Sequence, residues 1–342
     1  MIKNGRRLNN ASRFLIFIIV GLAALAAIFF LTLIFGANKV SVFDAFNAVF
    51  NYDEEIFTHR VVRDMRLPRL IADVIVGAAL AVAGAIMQGT TKNPMADSGI
   101  MGISSGSTLG VVIILAFFPA AGRLEKMGIS ALGAGVVTLI IYLIAFVGKG
   151  RITSDRMVLS GMAISTLLAS ITTAIILKNG LMNQMIRYTS GSSANTIWKD
   201  VFIALPFFIG GIVVSLFISR SLTVMNLGED VSKGLGANII LIKALSTVIV
   251  LILSAVAVII IGPVGYIGLM IPYVARYMVG TDYRLVLPTC AVYGAVFVAF
   301  VDFVAKNIHL GMEFPIGLLI TIIGVPFFIY VSRKQQGDQF NG

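Results

Sequence analysis

The chain has 342 residues, of which 58% are hydrophobic and 12% are charged, and its formal net charge is +10. Its mean hydropathy of +0.97 excludes an ordinary soluble globular protein. Basic residues that flank membrane helices account for the positive charge without a nucleic-acid partner. Apolar runs of roughly 20 residues, enough to cross a ~30 Å hydrocarbon core, recur along the whole chain. They predict an all-α polytopic membrane protein rather than a β-barrel, which needs short alternating segments.

Ten apolar segments predict about ten transmembrane helices. We divide the chain into an N-terminal tail (1–13), a membrane domain (14–332) and a C-terminal tail (333–342). The first apolar stretch is too long for the core of a signal peptide, so we expect it to remain as a membrane helix. The ten segments are 14–36, 69–88, 99–118, 128–148, 157–177, 201–219, 238–261, 263–279, 285–305 and 314–332. The third and the eighth are short or rich in glycine.

The distribution of basic residues predicts the orientation. An even number of spans puts both termini on one side, and with the termini inside, 15 of the 26 Lys and Arg residues lie inside and 11 outside. The positive-inside rule therefore predicts cytoplasmic termini. Four outside residues form one cluster at spacings of three: Arg60, Arg63, Arg66 and Arg69. An interfacial basic face, partly neutralised by Asp64 and Asp73, would explain this cluster, but it lies on the side that the rule leaves poor in basic residues.

Residues that could bind a nucleotide or a metal are few. No GxxxxGK[ST] phosphate loop occurs, because Gly148-Lys149-Gly150 lacks the upstream glycine and the hydroxyl residue. His59 and His309 are far apart and Cys290 is the single cysteine, so we expect neither a metal site nor an internal disulfide. We expect no cofactor on this chain. Any ATP and magnesium that it depends on would be bound by partner subunits.

A glycine-rich region follows the arginine cluster. It runs from Arg66-Leu67-Pro68-Arg69 through Gly77-Ala78-Ala79-Leu80-Ala81, Gly84 and Asn93-Pro94-Met95-Ala96-Asp97 to a Gly/Ser-rich run at 99–106. Pro68 suits the first turn of a helix, and Asn93-Pro94 ends the helix. Gly77 and Gly84 permit close packing against other helices. In a membrane, the irregular run that follows is tolerated only where it is buried in protein or lines a cavity.

A second segment, at 262–272, reads GPVGYIGLMIP and predicts a bent, closely packed span. Helix-packing glycines would explain either segment alone. In the order RLPR, GAALA, NPMAD, GISSG, LGEDVSKGLG, GPVGYIGLMIP and FPIGLLITIIGVPFF, however, the region from about residue 40 to residue 332 resembles the FecCD family of ABC importer permeases. Ser98 and Tyr273 depart from the family pattern, which usually has proline and histidine there.

This resemblance implies the helical bundle of a vitamin B12 importer permease and the uptake of a ferric siderophore, haem or a cobalamin. It implies as partners a second permease subunit, identical or homologous, two cytoplasmic ABC ATPase subunits and an extracytoplasmic substrate-binding protein. The chain would lie in the bacterial plasma membrane as a transport subunit without an ATPase site of its own.

The resemblance also assigns docking residues. In the family, basic residues of the RLPR motif receive glutamates of the binding protein. The corresponding docking candidates here are Arg63, Arg66, Arg69 and Lys306. Lys306 could instead pair with Asp302, one helical turn earlier.

The cytoplasmic segment 220–237 resembles the part of the family that couples the permease to its ATPase. The candidate coupling residues are Leu227, Gly228, Glu229, Gly234 and Gly236. Glycines allow a tight turn between two short helices because they accept positive φ at little cost. A polar connector with helix caps is the alternative.

The fifth span and the connection before it are candidates for the translocation pathway. By resemblance, Thr153 and Ser154 would form a cytoplasmic gate, although a helix N-cap there explains them equally well. Hydroxyl side chains within the span would line the pathway, or they could return their hydrogen bonds to their own helix. These pathway candidates are Ser165, Thr166, Thr172 and Thr173.

Two other classes of function are alternatives to the importer. A secondary transporter driven by an ion gradient usually places ionisable residues near the bilayer midplane. Here Asp73 and Asp302 fall near the outer helix ends, where we expect them to reach the interface. A membrane-embedded enzyme would need a histidine or carboxylate pair at acid–base or metal spacing within the spans, and the sequence contains none.

Overall fold

The computed structural model describes residues 10–36, 39–97, 102–146, 154–226, 228–308 and 314–340. This part of the chain contains α-helices, one π-helical segment and no strand. Eight of its helices are long and apolar enough to cross a membrane. Two shorter apolar helices, Ile103–Phe117 and Ile267–Val279, correspond to the third and eighth predicted spans. The predicted all-α polytopic class is thus confirmed.

The helices of the described residues follow one another without any other regular structure. They are α1 (Asn10–Ile34), α2 (Val42–Phe50), α3 (Phe57–Arg60), the π-helical segment Val61–Arg66, α4 (Leu67–Thr91), α5 (Ile103–Phe117), α6 (Arg123–Phe146), α7 (Ser154–Asn179), α8 (Met182–Thr189), α9 (Trp198–Asn226), α10 (Glu229–Gly234), α11 (Ile239–Ile261), α12 (Ile267–Val279), α13 (Tyr283–Ile308) and α14 (Ile316–Phe340). Several extend beyond the predicted apolar segments, because hydropathy marks only the part of a helix that lies in hydrocarbon.

Helix α4 is the centre of the bundle. Its membrane segment is 89% buried, whereas the segments of α1 and α7 are each 11% buried. Helices α9, α11, α12 and α13 pack around it. Small residues make this possible, since alanine and glycine let neighbouring backbones approach closely.

The glycines of α4 confirm their predicted packing role. A Cβ atom added at Gly77 would lie 2.1 Å from the carbonyl oxygen of Gly294 on α13. A Cβ atom added at Gly84 would lie 2.1 Å from the carbonyl oxygen of Gly268 on α12. Both distances are far below van der Waals contact. The glycine pairs Gly77–Gly294 and Gly84–Gly268 therefore set the separation of α4 from α13 and from α12, respectively.

The C-terminal end of α4 follows the sequence, and its start does not. Pro68 is the second residue of α4, but helical backbone already begins at Phe57 and continues through the π-helical segment Val61–Arg66, so the proline does not mark the start of this helical span. The helix ends at Thr91, and Lys92 takes a left-handed conformation with φ of 53°. The side chain of Asn93 then accepts a hydrogen bond from the backbone N–H of Met95 at 2.9 Å, which forms the turn.

The predicted eighth span forms a short helix after a non-helical segment. Helix α12 has 13 residues and is therefore about 20 Å long, less than the hydrocarbon thickness. Non-helical residues 262–266 precede it, and Gly262 has a φ of +84°, so the predicted bend is confirmed. Of the similar run before α5, residues 98–101 lie outside the described part of the chain.

The two ends of the bundle differ. At one end the indole Nε1 of Trp198, the first residue of α9, donates to the carbonyl of Arg63 at 2.8 Å. Helices α2, α3 and α8 lie in the connections at this same end of the bundle, which we call the Arg66 end. The short helix α10 lies at the opposite end, which we call the α10 end.

Candidate functional site

A buried charge cluster joins α4 to α13 at the Arg66 end. The guanidinium of Arg69 donates to Oδ1 of Asp302 through Nη2 at 2.7 Å and through Nε at 3.0 Å. The Nζ of Lys306 lies 3.2 Å from Oδ2 of the same carboxylate. The Ser193 hydroxyl, 3.4 Å from Oδ1, approaches it from the segment after α8. One carboxylate thus receives donors from three parts of the chain.

The expectation that Asp73 and Asp302 reach the interface is wrong. Both residues are 0% exposed. Asp73 lies within electrostatic reach of Asp302, Arg69 and Lys306. Charges can be buried where opposite charges and hydrogen bonds compensate them, and this cluster holds two acidic and two basic side chains. Asp302 stays inside because Arg69 and Lys306 pair with it, whereas both carboxyl oxygens of Asp73 are buried without a hydrogen-bond partner among the described residues.

Three of the four docking candidates are bound within the chain, and of these Arg66 and Arg69 are buried while Lys306 is half-buried. Arg69 and Lys306 share Asp302, so the alternative pairing of Lys306 is present. Arg66 is 8% exposed, and its Nη1 donates to the carbonyl of Leu33 in the last turn of α1. Arg63 is exposed, and its guanidinium lies 4.1 Å above the ring of Tyr52. Their docking role stays a prediction, with Arg63 as the member that a partner reaches directly.

At the α10 end, the predicted coupling segment contains one short helix between α9 and α11. The buried hydroxyl of Ser232 donates to the carbonyl of Val224 at 2.9 Å and to that of Gly228 at 2.5 Å. The bond to Val224 fastens α10 to the last turn of α9, and the bond to Gly228, the N-cap of α10, is local to α10. Gly228 and Gly236 have φ values of +125° and +80°, so the turns on either side of α10 use glycine conformations. The prediction was a glycine turn between two short helices, whereas the described part of this segment contains one short helix with such a turn on each side.

The other coupling candidates are placed less fully. Gly234 ends α10, and a Cβ atom there would meet nothing within 4 Å. Leu227 lies outside the described residues, as does the side chain of Glu229, whose backbone starts α10.

Exposed apolar side chains beside α10 were not predicted. Val231, Leu235, Ile240 and Leu241 are 50%, 66%, 80% and 54% exposed, respectively. We call these four residues the α10 patch. An exposed apolar patch among polar residues marks an interaction surface. In the sequence, Val231 and Leu235 stand out as apolar residues of an otherwise polar connection, whereas Ile240 and Leu241 belong to the predicted span 238–261.

Asp282 and Tyr283 connect the start of α13 to α9 at the α10 end. The hydroxyl of Thr223 on α9 donates to Oδ1 of Asp282 at 3.2 Å and accepts from the backbone N–H of Tyr283 at 2.9 Å. The hydrogen bond from the guanidinium of Arg284 lowers the pKa of the Asp282 carboxyl below its ordinary value. Asp282 is therefore ionised near neutral pH and links α9 to the start of α13.

The gate and pathway candidates lie on α7 or just before it. Thr153 is outside the described residues, and Ser154 starts α7 but its side chain is not described. The hydroxyls of Thr166 and Thr173 donate to carbonyls of their own helix at 2.9 and 2.8 Å. Thr172 is buried and Ser165 is half-buried. The exposed face of α7 remains available to line a path, because self-satisfied hydroxyls can still face water.

Comparison with known proteins gives matches along nearly the whole chain. Residues 24–334 match the model of the FecCD transport family. The chain is 38% identical over 321 residues to the iron(3+)-hydroxamate import system permease protein FhuB of Bacillus subtilis, covering 94% of this chain and 84% of that protein. It is 37% identical over 331 residues to the Fe(3+)-citrate import system permease protein YfmD of the same organism, covering 95% and 96%.

A solved structure agrees with these matches. The chain superposes with a TM-score of 0.83 on an inward-facing chain assigned as a metal-chelate-type ABC transporter. The sequence identity is 25%, and the superposition covers 93% of this chain and 98% of that chain. The fold and the order of the spans are therefore shared from end to end.

Proposed function

The chain belongs to the FecCD transport family, and from this membership we propose that it is the permease subunit of a binding-protein-dependent ABC importer. The proposed cargo is a ferric siderophore, or a haem- or cobalamin-like chelate, and partner subunits would hydrolyse the ATP. The observation that carries the proposal is the extent of the match. Iron-chelate permeases align over more than nine-tenths of this chain, so the whole membrane domain supports it.

The α10 patch fits the proposed contact with an ABC ATPase. Leu235 offers exposed apolar surface between α10 and α11, and Ile240 adds exposed apolar surface in the first turn of the membrane span α11. The hydrogen bond from the Ser232 hydroxyl to the carbonyl of Val224 holds α10 on the end of α9. A displacement of α10 by the ATPase would therefore be passed to α9, which packs against the central helix α4. In this proposal the α10 end and both termini face the cytoplasm, as the positive-inside rule predicts.

The Arg66 end would then face outward and receive the binding protein. Arg63 provides an exposed cation for a direct contact. Arg66, Arg69 and Lys306 stand behind it and fasten α1, α4 and α13 to one another. A protein that docks on Arg63 would therefore contact a part of the bundle in which α1, α4 and α13 are bonded to one another. Charge complementarity there would mainly govern the rate and the register of docking.

The proposed pathway lies between this chain and a second permease subunit. The exposed faces of α7 and α14, whose membrane segments are 11% and 22% buried, offer surface for it. The pathway candidates on α7 and the proposed gate at Thr153 and Ser154 belong to this surface. ATP binding and hydrolysis elsewhere would expose the cavity alternately to the two sides of the membrane.

Uptake in a deletion strain tests the proposal. Iron-limited cells with and without the gene would receive radiolabelled iron as a ferric hydroxamate, as ferric citrate or as haemin, and labelled cobalamin in a separate assay. We expect loss of one class of uptake, restored by the gene and sensitive to ATP depletion. Uptake that survives ATP depletion and collapses with the ion gradient would establish a secondary transporter instead.

A further inference from the structure

A basic pocket at the Arg66 end has no role in the account above. It has a volume of about 380 Å³ and lies between α5, α6, α8 and the end of α11. Its polar lining consists of Arg123, Lys126, Ser130, Gln184, Arg187 and Tyr188. Three of these six side chains are cations, on the side of the membrane where the proposed orientation predicts few.

An apolar groove adjoins this pocket. The groove has a volume of about 370 Å³, lies between α6, α9 and α11, and is lined by apolar residues such as Leu124, Phe207 and Leu251. Met127 and Ile259 line both the pocket and the groove. On α6 the pocket uses positions 123, 126, 127 and 130, and the groove uses positions 124, 127, 128 and 131. These are neighbouring stripes of one helix, so the two cavities meet along α6.

The charge of the pocket is not balanced within the described residues. Arg123 pairs with the buried Asp200 at 2.6 Å. Arg187 donates to the carbonyl of Asn183 in its own helix at 3.4 Å. No carboxylate of the described residues lies within 4.0 Å of the charged nitrogens of Lys126 or Arg187. The carboxylate of Glu125, the nearest acidic residue in sequence, accepts a hydrogen bond from the backbone N–H of Gly122 at 2.8 Å. Two cations are therefore left for an anion.

The pocket also offers a neutral donor. The Tyr188 hydroxyl is buried beside Ser130, and burial raises its pKa above the ordinary value. It therefore keeps its proton at physiological pH. Together with the amide of Gln184, it adds uncharged hydrogen-bonding groups to the two cations.

The groove has room for an alkyl chain. A Cβ atom added at Gly128 would meet nothing within 4 Å. The wall formed by α11 extends from Leu251 to Ile259, which corresponds to about 12 Å along a helix. The groove lies on the outside of the bundle, since the membrane segments of α6 and α9 are each only 28% buried. In a membrane this surface faces hydrocarbon.

We propose that the pocket and the groove form one binding site for an anionic glycerophospholipid. Lys126 and Arg187 would bind the phosphate, and an acyl chain would lie in the groove past Met127 and Ile259. A lipid fits better than a soluble anion, because the basic pocket continues into an apolar groove that opens to the bilayer. Basic pockets between membrane helices are a known type of anionic headgroup site.

Such a lipid would bear on the proposed pathway through α8. The residues after α8 are tied to the start of α14, because the carbonyls of Gly191 and Ser190 accept from the backbone N–H groups of Ile316 and Gly317 at 3.1 and 3.2 Å. A lipid held by Arg187 on α8 would thus stabilise the outer end of α14. This inference goes beyond transport itself, since it concerns a ligand that is not carried.

Native mass spectrometry of the full chain, purified with the subunits that accompany it, tests the site. The delipidated protein would be titrated with phosphatidylglycerol or phosphatidylcholine of the same acyl composition. We expect one phosphatidylglycerol per chain, bound on the order of tenfold more tightly than phosphatidylcholine. The double variant Lys126→Gln/Arg187→Gln should lose this preference. Gly128→Leu, which fills the groove, should weaken the binding of both lipids.

Matched controls separate the site from general effects. Lys178→Gln removes an exposed cation from the end of α7, and Gly210→Leu adds a side chain where a Cβ also meets nothing within 4 Å. Both controls should bind like the wild type, and size-exclusion profiles would show that every variant is folded. Equal binding of the two lipids, or a preference that survives the double variant, would overturn the proposal. Displacement of the lipid by millimolar inorganic phosphate would also overturn it. A cysteine placed in the groove (Gly128→Cys) should crosslink to a photoactivatable lipid, and crosslinking to another subunit instead would contradict the proposal as well.

Discussion

Arg69 on α4 and Asp302 on α13 form a buried ion pair although they are 233 residues apart in the chain. The Nη2–Oδ1 distance is 2.7 Å, and the side chains are 11% and 1% exposed. Lys306 approaches the other oxygen of the carboxylate from one turn along α13. The pair therefore locks the central helix to its neighbour at the end of the bundle where docking is proposed.

Removing Asp302 should destabilise the fold strongly. Asp302→Ala leaves Arg69 and Lys306 without their shared anion, and an unpaired buried charge costs about 3–5 kcal/mol. We expect less folded protein and a lower unfolding temperature in detergent. Arg284→Gln, which breaks an exposed pair with Asp282 at a similar distance of 2.7 Å, should leave both measurements unchanged. Equal effects of the two variants would show that burial of the Arg69–Asp302 pair is unimportant.

A methyl group at the closest helix contact should also be costly. Gly77→Ala places a Cβ atom 2.1 Å from the Gly294 carbonyl oxygen, so α4 and α13 must separate. Overpacking of this kind typically costs about 1–3 kcal/mol. Gly210→Ala is the control, because a Cβ there meets nothing within 4 Å. Thermal unfolding in detergent measures both variants, and an unchanged transition for Gly77→Ala would contradict the packing described for α4.

The two glycines of the coupling segment should respond differently to the same substitution. Gly236→Ala forces a Cβ into a left-handed conformation at φ of +80°, which strains the turn into α11 by about 1–2 kcal/mol. Gly234→Ala lies at the end of α10 in open space, where alanine is a good helix former. We expect reduced chelate uptake for Gly236→Ala and normal uptake for Gly234→Ala, at equal membrane levels. The reverse order would contradict the proposed turn.

Charge reversal at the exposed docking candidate should weaken capture of the binding protein. Arg63→Glu should lower the association rate on the order of tenfold, with an effect that shrinks at high salt. Binding of the purified partner to the permease complex in nanodiscs measures this rate. Lys178→Glu, also exposed at this end, is the matched control. Charge reversal at Arg66 or Arg69 would be a less selective test of docking, because both side chains are buried and bonded within the chain. An unchanged rate for Arg63→Glu would remove this residue from the docking surface.

The sequence predicts the spans well because the transfer of each residue into hydrocarbon is largely independent of its neighbours. Asn93 marks the end of α4 because its effect on the backbone is local, whereas Pro68 follows helical backbone that already begins at Phe57. Gly77 and Gly84 indicate close packing. Their partners Gly294 and Gly268 could not be deduced, since spacing along one helix does not say which helices lie beside it.

In the charge cluster too, the local contact was predictable from the sequence and the contact between helices was not. The pair of Lys306 with Asp302 was predictable because the two residues lie four positions apart on one helix. Local spacing also favoured Asp73 as the partner of Arg69, whereas the structure directs the guanidinium of Arg69 to Asp302 on another helix. The same long-range pairing explains why Asp302 is buried instead of reaching the interface. The α10 patch was missed for another reason, because the exposure of Leu235 and Ile240 depends on how α10 folds back onto α9.

Co-purification tests the central claim, that the chain is a permease driven by a separate ATPase, most directly. The tagged chain would be extracted from its native membranes in mild detergent, and the proteins that accompany it would be quantified by mass spectrometry. We predict an ABC ATPase in roughly equal amount to the total permease, lost in Leu235→Glu and retained in Phe57→Glu, which changes an exposed apolar residue at the opposite end. Absence of any ATPase across several detergents, or its undiminished recovery with Leu235→Glu, would contradict the proposed energy source or the proposed coupling surface, respectively.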